Sequence, residues 1–210
     1  MLDRFYLIID STRHLEAFLN EGLRCVQLRI KDCDTAQQQT GIRSEIRHAR
    51  QLCDQFDCQL IINDYWQIAI DEGCDAVHLG QEDLDTADIE QLKRNGIKYG
   101  LSTHDKAELA RAMALAPDYI ALGPIHATLL KKMPWRPQGL EKLTRWKKAI
   151  GSTPLVAIGG FTPDRAIAAF EHGADSVCVV TDVVQHHDPV ERVKQWLSLT
   201  RESSADTLFP

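Results

Sequence analysis

No two of the six cysteines stand as Cys-x-x-Cys, and no two lie near paired histidines, so their spacing argues against a zinc centre or a redox dithiol. Cys25, Cys33, Cys53, Cys58, Cys74 and Cys178 read instead as small buried hydrophobes, and reduced thiols fit a cytoplasmic protein. No uninterrupted apolar stretch approaches the ~20 residues of a membrane span. No targeting segment is visible either: the run between Met1 and Asp10 is too short for a signal peptide and closes on an acid. Cations are in the minority, with 24 Lys and Arg against 30 Asp and Glu and a formal net charge of −6. That balance argues against a nucleic-acid surface, which needs clustered Lys and Arg. It leaves room for a small anion held by a few local charges and backbone N–H groups. What the chain does have is core material: 210 residues, 44% hydrophobic and 26% charged, suit one soluble domain that needs no disulfide staple.

Eight short apolar runs recur along the chain: Phe5–Ile9, Cys25–Ile30, Gln59–Ile62, Ala76–Leu79, Lys98–Leu101, Tyr119–Leu122, Leu155–Ile158 and Ser176–Val180. Most lack strict alternation, as strands buried on both faces do. Between them the period changes to that of helices, as over Thr12–Asn20 and Thr35–Phe56. Thr86 is expected to cap one helix, Thr103 to begin another, and Thr162 with Pro163 to open a third. Gly22, Gly73, Gly96 and Gly173 each follow a helical stretch, where a left-handed residue is wanted. Eight strand–helix alternations give a closed barrel or an open doubly wound sheet. The count, the lack of a Gly-x-Gly-x-x-Gly after the first strand, and Ile158-Gly159-Gly160 after the seventh favour the α/β class and a parallel (β/α)8 TIM barrel over residues 1–201. Residues 202–210 read as a disordered tail.

Barrels place their chemistry at the C-terminal ends of the strands. The second strand ends Gln27-Leu28-Arg29-Ile30-Lys31, where alternation puts Gln27, Arg29 and Lys31 on one side and Leu28 and Ile30 on the other. Two cations there call for an anion, either a ligand or neighbouring acids at the rim. The third strand ends Asn63-Asp64 and the fourth runs His78-Leu79-Gly80-Gln81-Glu82-Asp83. Asp64 and Asp83 come from adjacent strands, so their carboxylates can converge on one Mg²⁺, an ion that takes one or two carboxylates and completes its shell with water and phosphate. His78 reads as a buried, hydrogen-bonded histidine more than as a ligand. Ser102 either donates to a ligand or caps the next helix. The long connection after the sixth strand carries Thr128 and Lys131, and Gly159, Gly160 and Thr181 offer N–H and hydroxyl donors for a second phosphate. Two anion sites predict an enzyme joining a diphosphate-activated substrate to a phosphorylated acceptor, with no covalent intermediate.

In this order the motifs Gln27-Leu-Arg-x-Lys31, Asn63-Asp64, His78-Leu-Gly-Gln-Glu-Asp83, Gly100-x-Ser102, Gly123-Pro124, Thr128 with Lys131, Ile158-Gly-Gly160 and Val179-Val-Thr181 resemble the thiamine-phosphate synthase family over about residues 5–185. The resemblance implies coupling of hydroxymethylpyrimidine diphosphate to hydroxyethylthiazole phosphate, giving thiamine phosphate and pyrophosphate. It implies Mg²⁺ on Asp64 and Asp83. It implies that Gln27, Leu28, Arg29, Ile30, Lys31, Asn63, Ser102 and Lys131 bind the pyrimidine diphosphate, with Arg29, Lys31 and Lys131 catalytic. Thr128, Leu129, Leu130, Gly159, Gly160, Val180 and Thr181 would line the thiazole phosphate site. The family's hydroxyl at position 130 is replaced by Leu130, and Thr181 stands where Ser is more usual. Two rivals remain: a synthase-like barrel acting as a thiazole tautomerase or regulatory binding protein, and a phosphate-binding isomerase or aldolase, for which no strand offers a Schiff-base lysine beyond the partly exposed Lys98. The partners expected are small-molecule substrates, with no nucleic acid and no membrane, and a homo-oligomer stays open.

Overall fold

The computed structural model describes residues 2–31, 36–128 and 135–205. Eight parallel strands close on themselves in chain order: β1 (Phe5–Ile9), β2 (Cys25–Leu28), β3 (Gln59–Asn63), β4 (Ala76–Leu79), β5 (Lys98–Thr103), β6 (Tyr119–Leu122), β7 (Leu155–Ile158) and β8 (Ser176–Val179). Tyr6 pairs with Cys178 and Ile8 with Gln27, so β1 is bonded on both edges and no edge is left open. The helices are α1 (Leu15–Asn20), α2 (Ala36–Gln55), α3 (Trp66–Asp71), α4 (Ile89–Arg94), α5 (Lys106–Ala114), α6 (Leu140–Ile150), α7 (Pro163–Glu171), α8 (Thr181–Val184) and α9 (Pro189–Ala205). Strand and helix alternate around the ring, the arrangement of a TIM barrel.

The absence of strict alternation in the strands has its cause in two apolar layers. Phe5, Leu7 and Ile9 of β1 join the layer between barrel and helices, where Phe5 stacks on Trp196 of α9 at 5.3 Å between ring centroids. Tyr6 and Ile8 point the other way, into the barrel, with Ile61, Tyr119, Val156 and Cys178. Every strand but β5 therefore carries apolar residues on both faces, and β5 turns Gly100 and Ser102 inward. The five described cysteines, Cys25, Cys53, Cys58, Cys74 and Cys178, are free and buried; Cys33 lies outside the described residues.

Several boundaries differ from the sequence expectations. β2 ends at Leu28, although the Arg29 N–H still donates to Ile9 O at 2.8 Å, while β5 runs on to Thr103. Thr103 therefore stays in the ladder opposite Leu122, and Asp105 caps α5, its Oδ1 accepting from the Glu108 N–H at 2.9 Å. Thr86 likewise does not open a helix. It follows a single 3-10 turn over Asp83–Asp85, and Asp88 caps α4 by accepting from the Gln91 N–H at 2.9 Å. In both cases an Asp two residues further on holds the extended conformation a cap requires. Thr162 and Pro163 do start α7, and Gly22, Gly73, Gly96 and Gly173 all take positive φ just past helix ends. α9 continues to Ala205, so the expected tail is helical over its first residues; 206–210 lie outside the described residues.

Candidate active site

The C-terminal ends of β1 and β2 open into a cleft of about 480 Å³ lined by Asp10, Ser11, Arg29, Ile30 and Lys31. Arg29 and Lys31 follow the inward phase that begins at Cys25 and Gln27, whereas Leu28 packs in the helix-facing layer. Asp10 and Ser11 were not singled out in the sequence. They continue β1 past its last strand residue, and no motif marks them.

Next around the rim, Lys31 Nζ donates to Asp64 Oδ2 at 2.7 Å. Asp64 is held in the left-handed region, φ 62°, by the donation of its N–H to His78 O at 3.0 Å and by the Trp66 N–H on its own carbonyl at 2.8 Å. A left-handed non-glycine residue is a strain that Asp tolerates better than most and that collects at functional sites. Asp83 reaches the same corner from the far end of β4. Its Oδ2 accepts from the Gly80 N–H at 2.8 Å. Burial, and after it the neighbouring Asp64 carboxylate, raises the Asp83 pKa above the ordinary aspartate value. The two acids thus converge as the strand order requires, with Lys31 as their counter-charge.

Deeper in the barrel the polar groups form one continuous chain. Gln27 Nε2 donates to Tyr6 Oη, the Tyr6 and Tyr119 hydroxyls lie 3.0 Å apart, and Tyr119 Oη lies 2.8 Å from His78 Nδ1. His78 Nε2 is 2.8 Å from Ser102 Oγ. His78 is the buried, bonded histidine expected; burial, with the Arg29 charge adding to it, lowers its pKa to about 4 against the opposing pull of Asp64. Ser102 does not cap a helix, since Asp105 does. The tyrosines were missed in the sequence because they sit 113 residues apart in runs that read as plain core. Asn63 pairs in register with His78, and its Nδ2 is buried without a partner among the described residues.

Opposite, β7 and β8 build a second rim. Gly159 and Gly160 both take positive φ and pass so close to the β6 connection that a Cβ would lie 2.7 Å from Pro124 Cα in one case and 2.4 Å from Ala127 O in the other. The His126 N–H donates to Gly159 O at 3.0 Å and the Ile125 N–H to Ile158 O at 2.9 Å, lacing the two loops together. Val180 precedes α8 and Thr181 opens it. Among the described residues no acceptor takes the amide hydrogens of Gly160, Val180 or Thr181. Thr128 lies on this side of the mouth, half-buried; Leu129, Leu130 and Lys131 lie outside the described residues. No three His, Cys, Asp or Glu converge as a metal-ligating group among the described residues. No helix there is long and apolar enough to cross a membrane.

A barrel mouth with one cationic, acid-paired corner and one amide-rich corner has close relatives. The chain is 54% identical over 199 residues to a thiamine-phosphate synthase of Rhizobium etli, covering 95% of this chain and 96% of that one. It is 44% identical over 194 residues to a thiamine-phosphate synthase of Serratia proteamaculans, covering 92% and 90%. A solved thiamine phosphate pyrophosphorylase from Pyrococcus furiosus superposes with a TM-score of 0.81 at 25% identity over 95% of this chain and 96% of that one. The family model described as thiamine monophosphate synthase matches residues 5–183, from the first residue of β1 into α8. Since that span takes in every strand and both corners of the mouth, the chain belongs to the thiamine monophosphate synthase family.

Proposed function

We propose that this chain is a thiamine-phosphate synthase, joining hydroxymethylpyrimidine diphosphate to hydroxyethylthiazole phosphate with release of pyrophosphate. The observation that carries the reading is the corner in which Lys31 pairs with Asp64 while Asp83 stands against the same carboxylate. A barrel relative that only isomerises or binds a thiazole has no use for that corner.

Two neighbouring carboxylates disfavour each other's charged forms, and a hard divalent cation relieves the repulsion. The all-oxygen pair fits Mg²⁺, which needs no third protein ligand when water and phosphate complete its shell. Asp64 and Asp83 would hold the ion, and when bound it supplies positive charge beside the departing pyrophosphate. The chain's own groups do the rest. Arg29 and Lys31, with Lys131 from the β6 connection, donate charged hydrogen bonds to the leaving oxygens and stabilise the charge that builds there. Gln27, Asn63 and Ser102 hold the pyrimidine inside the barrel mouth, with Leu28 and Ile30 contributing only the backbone between the cations. Because the aminopyrimidine is electron-rich, its methylene tolerates positive charge as the C–O bond breaks, and the thiazole nitrogen then captures it. Thr128, Leu129, Leu130, Gly159, Gly160, Val180 and Thr181 line the acceptor site, where free amides take the thiazole phosphate and hold it in line. The substrates are small molecules, and free, buried cysteines support a cytoplasmic location.

The test is incubation of the purified protein with both substrates and Mg²⁺, followed by chromatography for thiamine phosphate. The reading expects thiamine phosphate and pyrophosphate in equal amounts. Failure to form thiamine phosphate with both substrates saturating overturns it.

A further inference from the structure

We propose that Tyr6 and Tyr119 are positioning residues that give the buried hydrogen-bond chain one direction, from Gln27 to Ser102, so that the Ser102 hydroxyl meets the pyrimidine diphosphate as a donor. The kinetic half of this inference rests on the synthase reading above; the direction of the chain does not.

The direction follows from counting hydrogens. Gln27 Nε2 donates to Tyr6 Oη, so the Tyr6 hydrogen must go elsewhere, and the Tyr119 oxygen at 3.0 Å is its acceptor among the described residues. Among the described residues the Tyr119 hydrogen is then available only to His78 Nδ1 at 2.8 Å, which must accept it. Both rings are fully buried, and an unpaired hydroxyl there is costly, so each link constrains the next. A neutral imidazole with Nδ1 accepting carries its proton on Nε2. That proton points to Ser102 Oγ at 2.8 Å, and the serine hydrogen is left without an acceptor among the described residues. The serine backbone is fixed as well, since Gln81 Nε2 donates to Ser102 O at 2.7 Å. Asn63, the register partner of His78, presents a second unpartnered buried donor in Nδ2. Two neutral donors in one wall of the mouth define the group they receive as an acceptor.

Gly100 is what admits this chain. A Cβ there would lie 1.9 Å from Tyr119 Cζ, so the tyrosine ring occupies the space that any other residue would fill. The ring stacks against His78 at 5.6 Å between centroids and 20° between planes, which fixes the imidazole as well as bonding it.

The direct experiment is ¹⁵N NMR of the intact protein labelled on histidine, which reads the His78 tautomer without any substitution near the site. A protonated Nε2 with a bare Nδ1 is expected; a protonated Nδ1 would reverse every link and overturn the proposal. Steady-state kinetics of Tyr119→Phe and Tyr6→Phe supply the second arm. Tyr119→Phe should lower kcat/KM for hydroxymethylpyrimidine diphosphate on the order of 10-fold, the scale of one misplaced hydrogen bond, and leave the thiazole phosphate KM unchanged. Tyr6→Phe should cost less, because the Tyr119 hydroxyl still reaches Nδ1. Equal losses toward both substrates would mark a general packing role and overturn the positioning claim. If the wild-type protein made no thiamine phosphate, the functional reading would fall, while the tautomer would still decide the direction of the chain.

Discussion

Arg192 grips Asp182 through two parallel hydrogen bonds, Nε to Oδ2 and Nη2 to Oδ1, each 2.8 Å long, and Trp196 Nε1 adds a third to Oδ2 at 2.7 Å. Asp182 directly follows Thr181, so a carboxylate stands beside the amides proposed above to take the acceptor phosphate. Left alone it would repel that phosphate. The forked guanidinium of α9 neutralises it and turns it toward the helix layer.

Arg192→Ala should therefore raise the KM for thiazole phosphate by roughly 10-fold, the scale of one charge-assisted bond lost, with little change for the pyrimidine diphosphate. Adding Asp182→Asn should recover part of that loss, since the repelling charge goes with it. If the double variant binds the acceptor no better than Arg192→Ala, then packing of α8, and not charge, explains the effect.

Gly100→Ala tests the space given to Tyr119. With a Cβ 1.9 Å from Tyr119 Cζ, the ring must leave its stack on His78. Overpacking of this kind costs typically 1–3 kcal/mol, and in a domain of this size each kcal/mol lowers Tm by about 2–4 °C. The pyrimidine diphosphate KM should rise in the same variant. A Gly100→Ala protein with wild-type Tm would mean the ring has another place to go.

Away from the site, Glu72 joins α3 to α2. Its Oε1 accepts from Arg47 Nη2 at 2.9 Å and from Arg43 Nη1 at 3.0 Å. Arg47 first, and then Arg43, hold the Glu72 carboxyl below the ordinary glutamate range against the opposing effect of burial. A carboxyl with a depressed folded pKa contributes stability above its unfolded value near pH 4, and loses it as the pH falls through the folded value. Glu72→Gln should lower Tm by a few degrees at pH 7, and the gap to the wild type should close below about pH 4. A gap independent of pH would point to shape and not charge.

The barrel was legible because most of its strands are apolar on both faces and because left-handed glycines follow its helices, and both patterns are local. The rim acids and cations were legible for the same reason: Lys31, Asp64 and Asp83 each lie within four residues past the end of a recognisable strand. Caps were misjudged by two residues at Asp88 and Asp105, where strand ladder and 3-10 turn outcompeted the threonines for position. The Tyr6–Tyr119 contact and the Asp182–Arg192 grip were not visible, because each joins side chains whose own neighbourhoods look like ordinary core or ordinary helix surface. Their meaning comes from barrel closure and from α9 folding back over α8.

Removing the acids in turn separates metal from fold. Asp64→Asn and Asp83→Asn should each cut turnover severely, by 100-fold or more on the order of one lost catalytic charge contact, with Tm little changed at Asp83. Lys31→Ala should act on kcat as well as KM, because its charge is used most when the pyrophosphate leaves. A Lys31→Ala effect confined to KM would remove it from the leaving-group role.

The most direct measurement is pyrophosphate release from hydroxymethylpyrimidine diphosphate by the purified protein, with and without thiazole phosphate, under chelator and after Mg²⁺ is restored. Release matched by thiamine phosphate, abolished by chelator and returned by Mg²⁺, is the predicted result. Thiamine phosphate formed at full rate under chelator, or with both Asp64 and Asp83 replaced by Asn, would contradict it.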